Sequence, residues 1–231
     1  MMKYSTLLFD SDDTLLDFKA AEAAALEKAM LKNALPFSNE LLAIYSAAND
    51  IFWKAYERGE IEKNEIYVGR FRLFLENAKI NFSPEKLSGD YESLLKNECQ
   101  MIEGAEELCK KLREHYKMYI VSNGNIHVQL SRLNKSGLDR FFDGVFVSER
   151  VGFSKPQREF FDCVFKDIGA TDLSQVLIIG DSISSDIQGG KNAGIDTCLF
   201  SPKGEIKGAE PTYTVRNHKE LRKLLLKELS Q

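Results

Sequence analysis

The sequence has few cysteines, and they form no recognisable site. The 231 residues include four cysteines, which show neither a CxxC pair nor a Cys/His pattern with zinc spacing. We therefore expect neither a disulfide framework nor a structural zinc site. We expect reduced thiols in a cytoplasmic protein. The four are Cys99, Cys109, Cys163 and Cys198.

Long apolar runs and an excess of one charge are also missing. No run approaches the ~20 apolar residues of a membrane span, and the first apolar stretch stops at Asp10. We therefore expect no membrane span and no signal peptide. The 31 Lys and Arg residues against 35 Asp and Glu residues leave a net charge of −4, so no general attraction to a nucleic acid polymer is expected. The sequence has no GxGxxG dinucleotide loop and no P-loop.

Short apolar runs alternate with helical patterns in most of the sequence. The runs are rich in β-branched or aromatic residues, as in strands buried on both faces of a parallel sheet. This alternation predicts an α/β fold with a doubly wound, Rossmann-like parallel sheet. Predicted strands cover residues 4–9, 118–122, 144–148, 176–180 and 197–200, with 212–215 as a further edge strand; predicted helices cover 104–115, 126–136, 156–168, 185–193 and 219–229.

A long helical segment separates the first two predicted strands. Four helical patterns occur there, and no convincing strand lies between them. We therefore predict an all-helical insert after the first strand, with the core formed by residues 1–16 and 100–231 and the insert by 17–99. The four patterns cover residues 20–32, 39–58, 63–78 and 84–97.

An acidic cluster directly follows the first predicted strand. Asp10, Asp12 and Asp13 lie within four positions, and such carboxylates repel one another unless a cation or hydrogen-bond donors hold them. An acidic turn is one interpretation. A calcium loop fits poorly because Leu15 stands at the sixth position, where that loop needs glycine. The other interpretation is a magnesium site combined with a carboxylate nucleophile.

Three further polar clusters occur, two directly after predicted strands and one at the start of a predicted helix. Taken alone, the first is more typical of a turn and the second of a solvated lysine, and the third also fits a helix cap with a surface acid. Their placement brings them together, because ligands of open α/β sheets bind at the carboxyl ends of the strands. Together they supply the acids, hydroxyl and cation that phosphoryl transfer through a carboxylate requires. The clusters are Ser122-Asn123-Gly124, Ser154-Lys155-Pro156 and the segment from Gly180-Asp181 to Asp186.

These motifs carry a family resemblance. In order, Asp10-x-Asp12-x-Thr14, Ser122, Lys155 and Gly180-Asp181-x4-Asp186 resemble the four motifs of the haloacid dehalogenase-like hydrolase superfamily, and the match spans Leu7 to Phe200. One departure is Asp13, where most members have glycine. The residues around these motifs, including Val121-Ser-Asn-Gly124 and Ile179-Gly-Asp-Ser182, resemble those of the pyrimidine nucleotidases of this superfamily.

The resemblance implies a Mg²⁺-dependent phosphomonoesterase acting on a small phosphorylated metabolite, most specifically a nucleoside 5′-monophosphate. It implies that the helical insert is a cap. It assigns Asp10 as nucleophile and Asp12 as general acid, with Mg²⁺ held by Asp10, the backbone carbonyl of Asp12 and Asp181. By the same resemblance, Ser122, Asn123 and Lys155 bind phosphate, and Asp186 and Thr14 support the site.

Other functions stay open at this point. A sugar-phosphate phosphatase or a phosphomutase would use the same groups. A haloacid dehalogenase would use the same aspartate but would need neither Mg²⁺ nor an acid at Asp12. A noncatalytic phospho-receiver module would also combine acids, hydroxyls and a lysine.

The side chains of the insert allow two interpretations. Its aromatic residues fit base stacking, but their helical spacing is more typical of a hydrophobic core. Its arginines are expected to be solvated, and the three histidines of the chain to be structural or exposed. The aromatic residues singled out here are Phe52, Trp53, Tyr56, Tyr67, Phe71 and Phe74; the arginines are Arg58, Arg70 and Arg72; the histidines are His115, His127 and His218.

Overall fold

The computed structural model describes residues 3–204, 208 and 210–226. The chain forms two compact units, one of Met1–Phe18 together with Cys99–Gln231, and one of Lys19–Glu98. The first unit contains the sheet, and the second is helical. None of the helices in the described part of the chain is long and apolar enough to cross a membrane.

The elements follow one another in the predicted order. The strands are β1 (Thr6–Phe9), β2 (Lys117–Ser122), β3 (Gly144–Val147), β4 (Val176–Gly180), β5 (Asp196–Phe200) and β6 (Tyr213–Val215). The α-helices are α1 (Phe18–Lys32), α2 (Asn39–Glu57), α3 (Lys63–Ala78), α4 (Pro84–Leu95), α5 (Ala105–Leu112), α6 (Ile126–Ser136), α7 (Ser148–Val151), α8 (Arg158–Ile168), α9 (Gln188–Ala193) and α10 (His218–Leu226).

The six strands form one parallel sheet in the order β3-β2-β1-β4-β5-β6. Strand β1 lies at the centre, where Leu8 is in register with Tyr119 of β2 and Ile178 of β4. The direction of winding reverses between β1 and β4, and ligand crevices of such sheets open at this point. The predicted doubly wound sheet is confirmed.

Side chains alternate between the two faces of the sheet because successive strand residues point in opposite directions. Leu7 and Phe9 pack in a cluster with α5 and α10, through residues such as Leu108 and Leu221. Leu8 packs on the opposite face with α8 and α9. Since β1 is buried on both faces, its continuous apolar run is explained.

Helix starts differ from the prediction by one to three residues in α1, α5, α8, α9 and α10, and those of α8 and α9 have a local cause. Helix α8 begins at Arg158, two residues later than predicted, because Gln157 is extended and its side-chain Oε1 accepts the N–H of Ser154. Ile183–Ile187 forms a π-helical turn before α9. The last predicted helix runs to residue 229, and residues 227–229 lie outside the described residues.

The helical unit has an aromatic core. The ring of Tyr45 lies 5.0 Å from that of Phe71, 5.6 Å from Phe74 and 5.4 Å from Tyr91, and all four side chains are buried. Phe71 and Phe74 therefore follow the core interpretation. The other aromatic residues named above, which are Phe52, Trp53, Tyr56 and Tyr67, are half-buried.

Arg70 is buried, and the expectation that it is solvated was wrong. Its Nη1 donates to Oδ1 of Asn49 at 2.8 Å, and Asn49 in turn donates to Glu22 at 3.0 Å. A buried guanidinium requires such partners because an uncompensated charge inside a protein is costly. The other two arginines, Arg58 and Arg72, are exposed as expected.

His218 links helix α10 to two loops of the sheet-containing unit. Its Nδ1 lies 2.9 Å from the carbonyl oxygen of Glu103, and its Nε2 lies 2.8 Å from that of Thr14. Its ring stacks on Phe200 at 4.8 Å. His218 is therefore a structural residue, whereas the other two histidines, His115 and His127, are exposed.

Replacing His218 by Ala should lower the free energy of unfolding by about 2–4 kcal/mol, because a ring contact and the partner of two carbonyls are lost. Urea denaturation measures this change. His115→Ala is the control and should stay within about 0.5 kcal/mol. Equal stability of the two variants would contradict the role given to His218.

Candidate active site

A buried lysine joins three strand ends of the sheet. Nζ of Lys155 donates to Oδ1 of Asp10 at 2.7 Å, to Oδ1 of Asp186 at 2.7 Å and to the carbonyl oxygen of Val121 at 2.8 Å. An ammonium group has three protons, so this arrangement uses each of them. Asp10 follows β1, Val121 lies at the end of β2, and Asp186 follows β4.

Asn123 fixes the backbone of Lys155. Its Oδ1 accepts the N–H of Lys155 at 2.9 Å, and its Nδ2 donates to the carbonyl oxygen of Lys155 at 2.8 Å. The amide side chain of Asn123 thus holds the lysine loop against the end of β2. The neighbouring hydroxyl of Ser122 is buried and accepts the N–H of Gly124 at 3.0 Å. Phosphate contacts by Ser122 and Asn123 stay a prediction.

The position of Asp186 depends on the glycine at the end of β4. A Cβ on Gly180 would lie 2.1 Å from Oδ2 of Asp186, so any larger residue would displace the carboxylate. That oxygen also accepts the N–H of Ser182 at 3.1 Å. Both carboxylate oxygens of Asp186 are therefore engaged, one by Ser182 and one by Lys155.

Three carboxylates meet beside this lysine. Oxygen atoms of Asp10, Asp181 and Asp186 lie within 4.8 Å of one another. A site made only of oxygen atoms suits a hard cation such as Mg²⁺. Because the oxygens of Asp186 are engaged, Oδ2 of Asp10 and the carboxylate of Asp181 are the atoms best placed to bind one. The residues present therefore fit a magnesium ion.

The site carries more negative charge than Lys155 can balance. Burial raises the pKa of Asp10 to about 8; Lys155 opposes this rise, while Asp186 and Asp12 add to it. Burial also holds the pKa of Asp181 well above its usual range, and the charges of Asp10 and Asp186 act in the same direction. Burial alone would lower the pKa of Lys155, but the charges of Asp10 and Asp186 raise it by more. The net pKa is therefore raised, and the ammonium form is favoured. An added cation would relieve this repulsion.

The turn after β1 explains the unusual residue at position 13. Asp13 has a φ of 52°, a left-handed conformation that favours glycine, with Asp and Asn tolerated. Its Oδ1 accepts the N–H of Phe18 at 3.0 Å, so a side-chain hydrogen bond supports the turn. The next residue, Thr14, is buried, and its carbonyl is the one that His218 contacts.

Asp12 is held by two residues that no sequence motif singled out. Nε2 of Gln129 donates to its Oδ2, and Nη1 of Arg132 donates to its Oδ1. Both partners lie on α6, the helix that follows the Ser122-Asn123-Gly124 segment. They are three residues apart and therefore lie on one face of this helix. This spacing was the one available signal, but it is also typical of solvated helix residues.

Comparison with known proteins adds family evidence to this geometry. The family profile described as haloacid dehalogenase-like hydrolase matches residues 7–200. The HAD-hydrolase YfnB of Bacillus subtilis is 40% identical over 227 residues, covering 97% of each chain. A crystal structure of YfnB bound to magnesium matches with a TM-score of 0.92, covering 96% of this chain and 99% of that one.

Two further relatives have a stated activity. The pyrimidine 5′-nucleotidase YjjG of Escherichia coli is 34% identical over 228 residues, covering 98% of this chain and 100% of its own. The pyrimidine 5′-nucleotidase PynA of Streptococcus pneumoniae is 37% identical over 228 residues, covering 95% of this chain and 94% of its own. The similarity therefore includes both the sheet and the helical segment.

Replacing Lys155 by Met should lower the free energy of unfolding by about 3–5 kcal/mol, because Asp10 and Asp186 lose their buried partner. The free energies of unfolding of the wild type and the variant should both rise as the pH falls from about 8 towards about 5, since Asp10 binds a proton more tightly in the folded than in the unfolded chain. Because Lys155 lowers the pKa of Asp10, the rise should begin at a higher pH in the variant, so the loss should be largest above about pH 8 and smaller below it. Chemical denaturation at several pH values measures both effects. The exposed Lys166→Met is the control; a similarly small loss in both variants would contradict the buried-pair account.

Proposed function

Because the chain belongs to the haloacid dehalogenase-like hydrolase family, we propose that it is a Mg²⁺-dependent phosphomonoesterase that acts through an aspartyl-phosphate on nucleoside 5′-monophosphates. The observation that carries this proposal is the contact of the Asp10 carboxylate with the Lys155 ammonium, close to the carboxylate of Asp181. The similarity to two pyrimidine 5′-nucleotidases supports the substrate class.

The metal ion would be held by Asp10, the backbone carbonyl of Asp12 and Asp181. When bound, Mg²⁺ offsets the repulsion between a carboxylate nucleophile and a phosphate dianion. The fit of the oxygen atoms and the magnesium-bound structure of YfnB support this choice. Asp186 would act indirectly, by orienting Lys155, and Thr14 would support the turn.

The protein groups divide the reaction into two steps. One carboxylate oxygen of Asp10 attacks phosphorus; the bond between phosphorus and the ester oxygen breaks, and the ester oxygen takes a proton from Asp12. Water then attacks the aspartyl-phosphate while Asp12 takes its proton, and inorganic phosphate leaves as Asp10 is restored. Ser122 and Asn123 would hold the phosphoryl oxygens as charge develops on them, and Lys155 would do so by exchanging one of its present contacts for a phosphoryl oxygen.

The remaining assignments concern the helical segment and the location of the enzyme. We propose that residues 17–99 form the cap that selects the substrate, a small phosphorylated metabolite. Residues 1–16 and 100–231 would form the catalytic core. The four cysteines are free thiols, which supports a cytoplasmic location.

Asp10→Asn should reduce phosphate release by roughly 10³-fold or more, because an amide cannot act as the nucleophile. Phosphate release from pyrimidine and purine monophosphates, sugar phosphates and pyrophosphate, with and without Mg²⁺, measures this and the substrate preference. The proposal predicts the highest rate on pyrimidine monophosphates. Preference for sugar phosphates would contradict the substrate class, and halide release from haloacids in a chelator would contradict the reaction.

Asp181→Asn should remove Mg²⁺ binding without weakening the metal-free fold. Without metal, the variant should melt at the same or a higher temperature than the wild type, because repulsion with Asp10 and Asp186 is relieved. With MgCl₂, the melting temperature of the wild type should rise, while that of the variant should not. The exposed Asp162→Asn should respond like the wild type. A full Mg²⁺ response in Asp181→Asn would contradict the metal assignment.

A further inference from the structure

Both carboxylate oxygens of Asp12 are engaged from one helix. Gln129 donates to Oδ2 and Arg132 to Oδ1, so the two donors fix the rotation of the carboxylate as well as its position. A carboxylate has about four lone-pair sites. The two donors use one on each oxygen and leave others for proton transfer.

The two donors are buried behind a carboxylate that is partly open. The side chain of Arg132 is 0% exposed, and that of Asp12 is 27% exposed. Burying a whole guanidinium is costly unless it is paired, and Asp12 is the carboxylate with which it forms an ion pair. The guanidinium also lies 5.6 Å from the ring centre of Phe18, which helps to fix its orientation.

The neighbouring glycine provides the room that Gln129 needs. A Cβ on Gly124 would lie 2.6 Å from Nε2 of Gln129 and 2.9 Å from its Cγ. The side chain of Gln129 therefore occupies the space that a side chain at position 124 would need. This explains why Gly124 follows Ser122 and Asn123, which a turn alone does not require.

We infer that Gln129 and Arg132 are positioning residues that hold Asp12 in the orientation needed for proton transfer to the leaving group and from water. This inference rests on the proposed function, and it adds two residues to the machinery of that reaction. Both side chains are buried, so neither is placed to contact a substrate. They act through Asp12, and their contribution should therefore depend on it.

A double-mutant cycle on Asp12 and Arg132 tests the inference. Arg132→Met should lower kcat for uridine 5′-monophosphate by about 10²-fold, the lower end of what an acid–base group contributes, with KM nearly unchanged. In the Asp12→Asn background, the same replacement should change the remaining rate by no more than about twofold. Arg132→Lys should recover part of kcat because it keeps the charge. Equal losses in both backgrounds would overturn the inference.

The first step with p-nitrophenyl phosphate separates positioning from general structural damage. Its leaving group needs no proton, so the initial burst of p-nitrophenolate should stay within about threefold of wild type in Arg132→Met, while later turnover falls. A burst that falls as far as kcat would overturn the inference. Gln129→Met, which removes a donor without removing charge, should show the same pattern more weakly, and the exposed Lys135→Met on α6 should resemble wild type.

Failure of the proposed function gives a different pattern. If Asp12→Asn alone leaves turnover of uridine 5′-monophosphate and of p-nitrophenyl phosphate unchanged, Asp12 is not the acid–base group and the inference falls with that role. If Asp12→Asn is impaired and Arg132→Met is not, the proposed function stands and the positioning role alone is overturned.

Discussion

The ion cluster of Lys155 is the interaction on which the rest of the site depends. One ammonium group inside the protein is shared by Asp10, Asp186 and the end of β2. Such a cluster is stable only while each member keeps its partners. Asn123, Gly180 and Ser182 supply the geometry that maintains it. Through these contacts, residues that are distant in the sequence lie next to one another in the candidate active site.

Charge imbalance is the second feature of the site. One lysine faces several carboxylates, and burial raises the pKa of both Asp10 and Asp181. The same excess of negative charge, which is unfavourable without a metal ion, would under the proposed function favour a divalent cation and, through it, a phosphate dianion. Function and local instability therefore have the same cause, as is common where carboxylates are collected for chemistry.

Much of this arrangement could be predicted from the sequence because its signals are local. The buried strands are continuous apolar runs, and Asp10, Ser122 and Asp181 stand directly after them. Parallel winding brings those ends together. The resemblance to a family then gave Lys155 and Asp186 a place beside Asp10, which spacing alone does not require.

Other contacts could not be predicted because they join distant residues without a distinctive pattern. In the sequence, Arg132 and Arg70 are indistinguishable from solvated helix arginines. Only the fold shows that Arg132 contacts Asp12 and that Arg70 contacts Asn49. The π-helical turn at Ile183–Ile187 leaves no mark in the apolar pattern. At position 13 the sequence shows only that Asp13 replaces the glycine of most family members, and the hydrogen bond that supports Asp13, from the N–H of Phe18, could not be predicted.

The proposed reaction requires that the carboxylate of Asp10 becomes covalently phosphorylated. The direct measurement is mass spectrometry of peptides from acid-quenched reactions of the Asp12→Asn variant with p-nitrophenyl phosphate and Mg²⁺. We expect one added phosphoryl group on Asp10, formed at the rate of the p-nitrophenolate burst and absent from the Asp10→Asn protein. Steady phosphate release with no phosphorylated Asp10, or a phosphoryl group on another residue formed at the burst rate, would contradict it.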